Sequence, residues 1–266
     1  MTRRRLDAEL VRRGLARTRT EAEDVVRDGL VMVGGRPASK PSTLVRADET
    51  LQVAGRPGRF VSRGGDKLDA ALDRFGVAVA GRDALDAGAS TGGFTDCLLK
   101  RGIARVVAVD VGYGQLAWSL RRDPRVAVLE RTNVRDLVPA DLPFAPQVVV
   151  ADLSFISLRL ALPALAGAAV AGADLVLLVK PQFEAGAQDV EKGGVVRGPG
   201  VWRRAVEQVA EACQASGATP TRAMASPLLG PAGNVEFFLH AVKGGVAEPP
   251  DLDDTIGEGL RIGGGS

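Results

Sequence analysis

Residues 84–95 read Ala84-Leu-Asp-Ala-Gly-Ala-Ser-Thr-Gly-Gly-Phe-Thr95. An apolar run ends on Asp86, a glycine-rich turn follows, and helical spacing then begins with Phe94, Leu98 and Leu99. This is the pattern of a strand, a tight turn and a helix. The glycines allow a ligand to approach the backbone, and the helix start offers free N–H groups to an anion. A second apolar run, Arg105-Val-Val-Ala-Val-Asp110, closes on another acid. An acid at that place can hold ribose hydroxyls.

Outward from this unit, strand and helix patterns alternate. Strands are expected at 82–87, 105–110, 126–130, 147–152, 174–180, 218–225 and 235–243, and helices at 65–75, 93–101, 114–121, 158–169 and 199–215. Such alternation implies α/β architecture, a mostly parallel sheet covered on both faces. The last two strands follow the final long helix and are joined by a Gly/Pro-rich stretch, so the final strand is expected to run antiparallel. The apolar segment Leu158 to Val179 is long enough to suggest a membrane span. It is broken by Arg159, Pro163, glycines and Asp174, and reads as a buried helix followed by a buried strand. The tail from Glu248, rich in Pro, Asp and Gly, reads as disordered.

The glycine spacing is not the GxGxxG of a pyrophosphate binder, and Ser90 and Thr91 sit inside the turn. The turn suits a carboxylate-bearing cofactor such as S-adenosylmethionine. Asp86, Gly88, Ser90, Thr91 and Gly92 are then expected at its methionine end, Asp110 at its ribose, and Asn133 near its adenine.

Four further residues fall where elements end near this turn: Lys67 beside the stripe Leu68, Ala71, Leu72 and Phe75; Asp152 at the end of Val148-Val-Val-Ala-Asp; Lys180 at the end of Leu175-Val-Leu-Leu-Val-Lys; and Glu236 at the start of the last strand. Ligands of open α/β sheets sit outside the carboxyl ends of the parallel strands. An antiparallel last strand brings its start to the same edge. A Lys-Asp-Lys-Glu set suits methyl transfer to a ribose 2′-hydroxyl, where positioning does most of the work and a hydroxyl proton must be directed away. A lysine whose pKa is lowered by a second lysine and by burial would accept it, with Asp152 keeping the paired ammonium groups tolerable.

Residues 1–63 hold 14 Lys and Arg against 8 Asp and Glu, whereas the rest of the chain holds 20 against 24. The basic end is therefore expected to meet a polyanion. Leu6, Leu10, Val11 and Leu15 give helical spacing. A second helix is expected from Thr20, with Glu23 completing a capping box, to Gly29. Leu30 to Val33, Lys40-Pro41 and Thr50 to Val53 read as short strands, and Gly55-Arg-Pro-Gly58 reads as a linker. Arg5-Leu-Asp-x-x-Leu-Val-x-Arg-Gly-Leu15, Thr18-Arg-Thr-x-Ala22, Gly29-x-Val31 and Gly35 through Lys40-Pro41 resemble the S-four-type RNA-binding domain. RNA contacts are expected from Arg3, Arg4, Arg5, Arg17, Arg19, Lys40 and Arg63.

The whole chain, from Arg5 to about Val242, resembles the TlyA-type methyltransferases. The motifs that carry the likeness are Val61-Ser-Arg-Gly-Gly-Asp-Lys-Leu68, Asp86 to Asp96, Val109-Asp-Val-Gly-Tyr-Gly-Gln-Leu116, Ala151-Asp-Leu-Ser-Phe-Ile-Ser157, Val179-Lys-Pro-Gln-Phe-Glu184, Gly193-Gly-Val-Val-Arg197 and Gly233-Asn-Val-Glu236. The resemblance implies a Rossmann-like class I methyltransferase sheet of the FtsJ-like type behind a small N-terminal α/β RNA-binding domain. It implies S-adenosylmethionine-dependent 2′-O-methylation of cytidine in ribosomal RNA, on ribosomal subunits, with Lys67, Asp152, Lys180 and Glu236 as the catalytic set. The boundaries expected are 1–58 for the first domain, 59–62 for a linker, 63–245 for the transferase and 246–266 for a tail. Arg59-Phe-Val-Ser62 follows the family's interdomain motif only loosely, with Phe in place of Trp.

A non-catalytic ribosome-binding protein on the same fold is the main alternative. A nicotinamide oxidoreductase is disfavoured by the missing GxGxxG. Some members of the family carry the name haemolysin, but no apolar h-region follows Met1-Thr-Arg-Arg-Arg and no membrane-spanning or amphipathic element is evident. A cytoplasmic protein is expected. One histidine, His240, argues against a histidine-based metal site, and two distant cysteines read as buried thiols of a reducing compartment.

Overall fold

The computed structural model describes residues 3–16, 18–27, 29–46, 48–53, 59–191, 193–247 and 249–263. The chain divides into two compact units, Met1–Gly58 and Arg59–Ser266.

In the first unit β1 (Arg3–Arg5) leads into α1 (Leu6–Arg12), then α2 (Arg19–Arg27), β2 (Val31–Val33), β3 (Arg36–Pro37), β4 (Leu44–Arg46) and β5 (Leu51–Val53). β1 pairs with β4, and β2 lies between β3 and β5, all antiparallel. Leu6 and Leu10 of α1 and Ala22 and Val26 of α2 are fully buried against Val31 and Val45. The i, i+4 spacing of both pairs makes this one face of each helix. Two expectations change here. The N-cap of α2 is Thr18, whose hydroxyl accepts from the Glu21 N–H at 3.1 Å, so the helix starts earlier than Thr20. Lys40-Pro41 is a turn, and the strand lies just beyond it at β4, where Val45 can alternate inward between exposed Leu44 and Arg46.

The second unit opens with α3 (Arg63–Phe75), followed by β6 (Asp83–Ala87), α4 (Gly93–Lys100), β7 (Arg105–Val109), α5 (Trp118–Arg121) and β8 (Val126–Leu129). Then come β9 (Val148–Ala151), α6 (Leu158–Ala168), β10 (Asp174–Val179), α7 (Pro181–Glu184), α8 (Pro199–Ala215), β11 (Ala218–Ala225), β12 (Phe237–Lys243) and α9 (Leu252–Ile262). The sheet order is β11-β12-β10-β9-β6-β7-β8. β12 runs antiparallel to both β10 and β11, while β10, β9, β6, β7 and β8 are mutually parallel. The order in which successive strands are added reverses between β6 and β9, which run parallel, and such a switch point is where these sheets open a ligand crevice. The strands are near-continuous apolar runs because both faces are covered by helices. Helix α5 is shorter than the pattern predicts, since Gly112 and Gly114 hold the preceding residues in a loop and Gly114 adopts φ +71°.

Both boundaries of this unit differ from expectation. Phe60 is 5% exposed and fills the space over Gly65, and the Val61 N–H donates to Asp96 at 2.8 Å, so residues 59–62 are part of the second unit's packing and not a linker. The tail is not structureless. Asp251 caps α9 by accepting from the Asp253 N–H at 2.8 Å, and Thr255, Ile256 and Gly259 form its buried face. Composition concealed an amphipathic helix, because the few apolar residues it packs on the core, Leu252, Ile256 and Ile262, are spaced among Asp, Glu and Gly.

In the first unit two buried carboxylates each gather arginines. Asp7 meets Arg5 at 2.6 Å and Arg19 at 3.3 Å; Glu9 meets Arg12 at 2.6 Å and Arg13 at 2.8 Å. Hydrogen bonds from Arg12 and Arg13 hold the Glu9 carboxyl down at about 2. A carboxyl lowered on folding lends stability above its unfolded value that is lost as pH falls through its folded one. We therefore expect the methyl NMR signals of Leu6 and Leu10 to lose dispersion between about pH 4.5 and about pH 2. The Glu9→Gln variant should lack that acid-dependent step, and an identical acid profile for both proteins would remove Glu9 as its source.

Candidate active site

The pairing of β6 with β9 sets Ala87 opposite Ala151, so Gly88 and Asp152 leave the sheet side by side. The Asp152 N–H donates to the Ala87 carbonyl at 3.0 Å. A side chain at Gly88 would put its Cβ 2.5 Å from the Asp152 carbonyl oxygen, and Gly88 has φ +82°. Glycine is required here on both counts. Gly92 is also left-handed, but its missing side chain makes room for Leu116 and Leu120, so that glycine serves packing.

A cavity of about 670 Å³ opens at this point. Of the residues expected around a cofactor, Gly88, Ser90, Asp110 and Asn133 line it, together with Asp152; Asp86, Thr91 and Gly92 do not. Asp110 closes β7 with one carboxylate oxygen 2.8 Å from the Ser90 N–H and the other 2.7 Å from the Gly112 N–H. Those bonds fix the carboxylate toward the cavity and hold Ser90 at φ +47°. Each oxygen keeps a second lone pair for a hydroxyl donor. Asn133 caps a short 3-10 turn through the Arg135 N–H at 3.1 Å.

Asp86 lies behind the turn, fully buried. One oxygen accepts from Thr95 Oγ1 at 2.6 Å, and the other, Oδ1, has no partner among the described residues. Burial pushes its carboxyl up to about 7, with the negative charges of Asp152 and Asp110 acting in the same direction.

Each of the two lysines meets a carboxylate. Lys180 Nζ stands 2.5 Å from Asp152 Oδ1 and donates to Ser154 Oγ at 2.9 Å. Lys67 Nζ donates to Glu236 Oε2 at 2.7 Å, with the side chains 8% and 1% exposed. The register of β10 with β12 runs to Val179 opposite Phe237, so Lys180 and Glu236 stand at the next position on adjacent strand ends. The strand reversal thus brings both ion pairs to the carboxyl edge that holds the cavity. Glu236 Oε1 is buried and lacks a partner among the described residues.

The loop 153–157 contributes wall residues that the motif-by-motif reading gave no role. Phe155 is 93% exposed with φ +65°, and its ring centroid lies 5.4 Å from that of Phe183. Such a backbone is costly for a bulky residue and is kept only where the surroundings impose it. Glu184 imposes it in part: it accepts from Ser157 Oγ at 2.5 Å and from the Leu158 N–H at 2.7 Å, and its carboxyl is raised by burial. The signal was present in Phe183-Glu184, one residue beyond Lys180-Pro181.

Among the expected RNA contacts, Arg3, Arg4 and Arg5 are exposed on β1, and Lys40 is exposed before β4. Arg5 and Arg19 both reach Asp7, Arg63 opens α3 in the second unit, and Arg17 lies outside the described residues. His240 is held by Asp174 at 2.8 Å and Thr221 at 2.6 Å. Among the described residues no group of three His, Cys, Asp or Glu could hold a metal ion, and no helix is long and apolar enough to cross a membrane. Burial pushes both Cys97 and Cys213 thiols up to about 12.

A parallel sheet with an antiparallel strand inserted next to its edge, and a cavity at its switch point, is the architecture of a methyltransferase. Residues 60–243 match the FtsJ-like methyltransferases and residues 4–51 match the S4 domain. The chain belongs to the FtsJ-like methyltransferase family, in its TlyA-type branch with an N-terminal S4 domain. It is 57% identical over 238 residues to the 16S/23S rRNA (cytidine-2′-O)-methyltransferase TlyA of Mycobacterium tuberculosis, covering 89% of each chain. A solved structure designated a hemolysin, from Streptococcus thermophilus, is 37% identical with a TM-score of 0.79, covering 98% of this chain and 97% of that one. A Listeria monocytogenes structure designated an S-adenosylmethionine-dependent methyltransferase shares the fold, with a TM-score of 0.51 at 15% identity over 67% of this chain and 98% of that one.

A buried carboxyl raised on folding costs stability as pH climbs from the unfolded value, 3.8, and the cost is complete above about 7. The Asp86→Asn variant should therefore gain melting temperature over the parent at pH 8, and gain less at pH 5. Equal differences at the two pH values would show that Asp86 ionises without penalty.

Proposed function

We propose that the chain transfers a methyl group from S-adenosylmethionine to the 2′-hydroxyl of a cytidine in ribosomal RNA, acting on assembled subunits. The observation that carries this reading is the Lys180–Asp152 ion pair at the wall of the switch-point cavity, with the Lys67–Glu236 pair on the next strand end. The relative named an rRNA (cytidine-2′-O)-methyltransferase supports the choice of substrate.

The cavity fits the cofactor. Its volume falls in the ordinary range for small-molecule sites. Asp110 faces it with acceptor capacity and would hold the ribose hydroxyls, Ser90 and Gly88 would hold the methionine end, and Asn133, on the same cavity wall, would hold the adenine edge. Thr91 and Gly92 shape the turn, and the unpartnered Asp86 Oδ1 behind it suits an ammonium. When bound, S-adenosylmethionine supplies an electrophilic methyl whose C–S bond breaks as the C–O bond to ribose forms.

The chain's own part is positioning and proton traffic. Ser154 and Asp152 fix the Lys180 amine from two sides, so its remaining direction faces the hydroxyl. The hydroxyl proton passes to Lys180 as Lys180 yields one to Asp152. Lys67 and Glu236 hold the far side of the ribose. Phe155 presents an open ring face to a base drawn out of its stack, the mode by which single-stranded RNA is usually read. The exposed Arg3, Arg4 and Lys40 of the S4 domain contact phosphates, which set affinity and register. Arg17, outside the described residues, and Arg63 of the second unit are further phosphate contacts, and Arg5 and Arg19 serve as well where their Asp7 bonds permit.

The decisive experiment incubates the protein with labelled S-adenosylmethionine and separated subunits, then maps 2′-O-methyl positions. Lys180→Ala should lose methylation more than tenfold, a barrier increase above ~1.4 kcal/mol, with cofactor and subunit binding retained. Lys67→Ala should lose activity and also ~3–5 kcal/mol of stability, because Glu236 is left buried and unpaired. Replacing Arg3, Arg4 and Lys40 by Gln should show the opposite pattern: weaker subunit binding, with a salt slope flatter by about one unit per lost phosphate contact, at unchanged cofactor affinity. No label in RNA with the parent protein would leave a ribosome-binding protein without this chemistry.

Asp110→Ala should weaken S-adenosylmethionine binding, since each hydrogen bond to a charged acceptor is worth about 1.5–3 kcal/mol. Unchanged calorimetric affinity would take Asp110 out of the cofactor site.

A further inference from the structure

The family match ends at residue 243, before α9 begins at Leu252. Yet α9 touches the structure around both members of the Lys67–Glu236 pair. Glu258 Oε1 accepts from Arg74 of α3 at 2.9 Å, on the helix that carries Lys67. Its other oxygen accepts from the Ala225 N–H at 3.1 Å, and the neighbouring Ser226 N–H donates to the Glu236 carbonyl at 2.8 Å. The next residue of α9, Gly259, presses on the residues flanking Glu236. A Cβ there would lie 3.0 Å from Phe237 Cε1 and Cζ and 3.3 Å from Val235 Cγ1. Gly263 is equally close to Val235, at 3.0 Å.

Gly259 does not have a left-handed φ, and glycine in mid-helix weakens a helix relative to alanine. Its presence is explained by the closeness of α9 to Val235 and Phe237. A helix packed at this distance fixes where the β12 start sits, while Glu258 ties the same helix to α3. Reacting groups must be held to within a few tenths of an ångström by their supporting residues.

We propose that α9 is a positioning element for methyl transfer, setting the spacing of Lys67 and Glu236 through the close contact of Gly259 and the Glu258–Arg74 bond. The inference rests on the reading that this ion pair serves methyl transfer to RNA.

Gly259→Ala tests it. Alanine favours the helix, so α9 itself is not weakened, but its methyl pushes Phe237 and Val235 and with them Glu236. The full-length variant should show kcat lowered roughly tenfold, with KM for subunits, cofactor affinity and melting temperature close to the parent values. Adding Phe237→Leu, which removes the ring carbons nearest Gly259, should restore a large part of kcat. Arg74→Met breaks a largely exposed bond that contributes little to stability, and should lower kcat in the same direction by a smaller factor. Parent-like kcat in both Gly259→Ala and Arg74→Met overturns the proposal. So does a kcat that falls only in step with melting temperature and is not recovered in the double variant, since α9 is then a strut without a positioning role. A parent protein that methylates no RNA defeats the reading beneath it, and that outcome is distinct from either.

Discussion

The second unit is organised around the requirement that two ion pairs share one sheet edge. Lys67 comes from the first helix of that unit and Glu236 from the residue before its last strand, 169 positions away, and they meet at 2.7 Å with almost no solvent. Such a pair is poor value as a stabilising device. Removing two charges from water costs several kcal/mol each, and an apolar pair of the same volume would often serve stability as well or better. The geometry follows from topology. Only an antiparallel strand next to β10 returns its beginning to the carboxyl edge, and only there does Glu236 come level with Lys180. The price of keeping charge inside is offset by a core in which Phe237 and Phe238, immediately after Glu236, are fully buried. Each large side chain so buried contributes about 1.5–3 kcal/mol.

A second constraint acts at the switch point. Gly88 and Asp152 lie so close that no side chain fits between them. The same contact therefore opens the cavity floor and fixes the base of Asp152, whose carboxylate reaches Lys180. The cavity floor and the Asp152–Lys180 ion pair are thus parts of one backbone arrangement. Lys180 is placed by the abrupt end of β10 at Pro181, which begins α7, and α7 in turn supplies Glu184 to hold the loop bearing Ser154 and Phe155.

Much of this was legible in the sequence because strand and helix periods are local. The seven strands of the large sheet and the long helices α3, α4, α6 and α8 lie within a few residues of their patterns. So do the ends at which Asp110, Asp152 and Lys180 stand. What escaped was long-range. No local pattern tells that Lys67 pairs with Glu236 and Lys180 with Asp152. Gly92 looked like a ligand contact because a glycine's reason depends on what packs over it, here Leu116 and Leu120. Composition was misleading for residues 251–262, where Asp251 signals a cap and the buried face rests on Thr255, Ile256 and Gly259. A strand of three residues such as β4 carries too little pattern to be separated from the turn before it.

The charge of the S4 domain needs the same distinction between a residue's type and its partners. Its arginines suggest a large phosphate footprint, but Arg5, Arg12, Arg13 and Arg19 are bound to Asp7 and Glu9, which are themselves buried. Those four arginines neutralise carboxylates that the helix α1 places inward, and replacing both partners of either carboxylate strands a buried charge. They are tied to the fold before they are available to RNA. Arg3, Arg4 and Lys40 are exposed and stand apart from both carboxylates' bonds, on an edge strand and the turn beside its partner. An edge strand is protected from pairing with other chains by the positive charge it carries. The side chains that guard the edge are thus among those in this unit that the proposed function assigns to phosphate contacts.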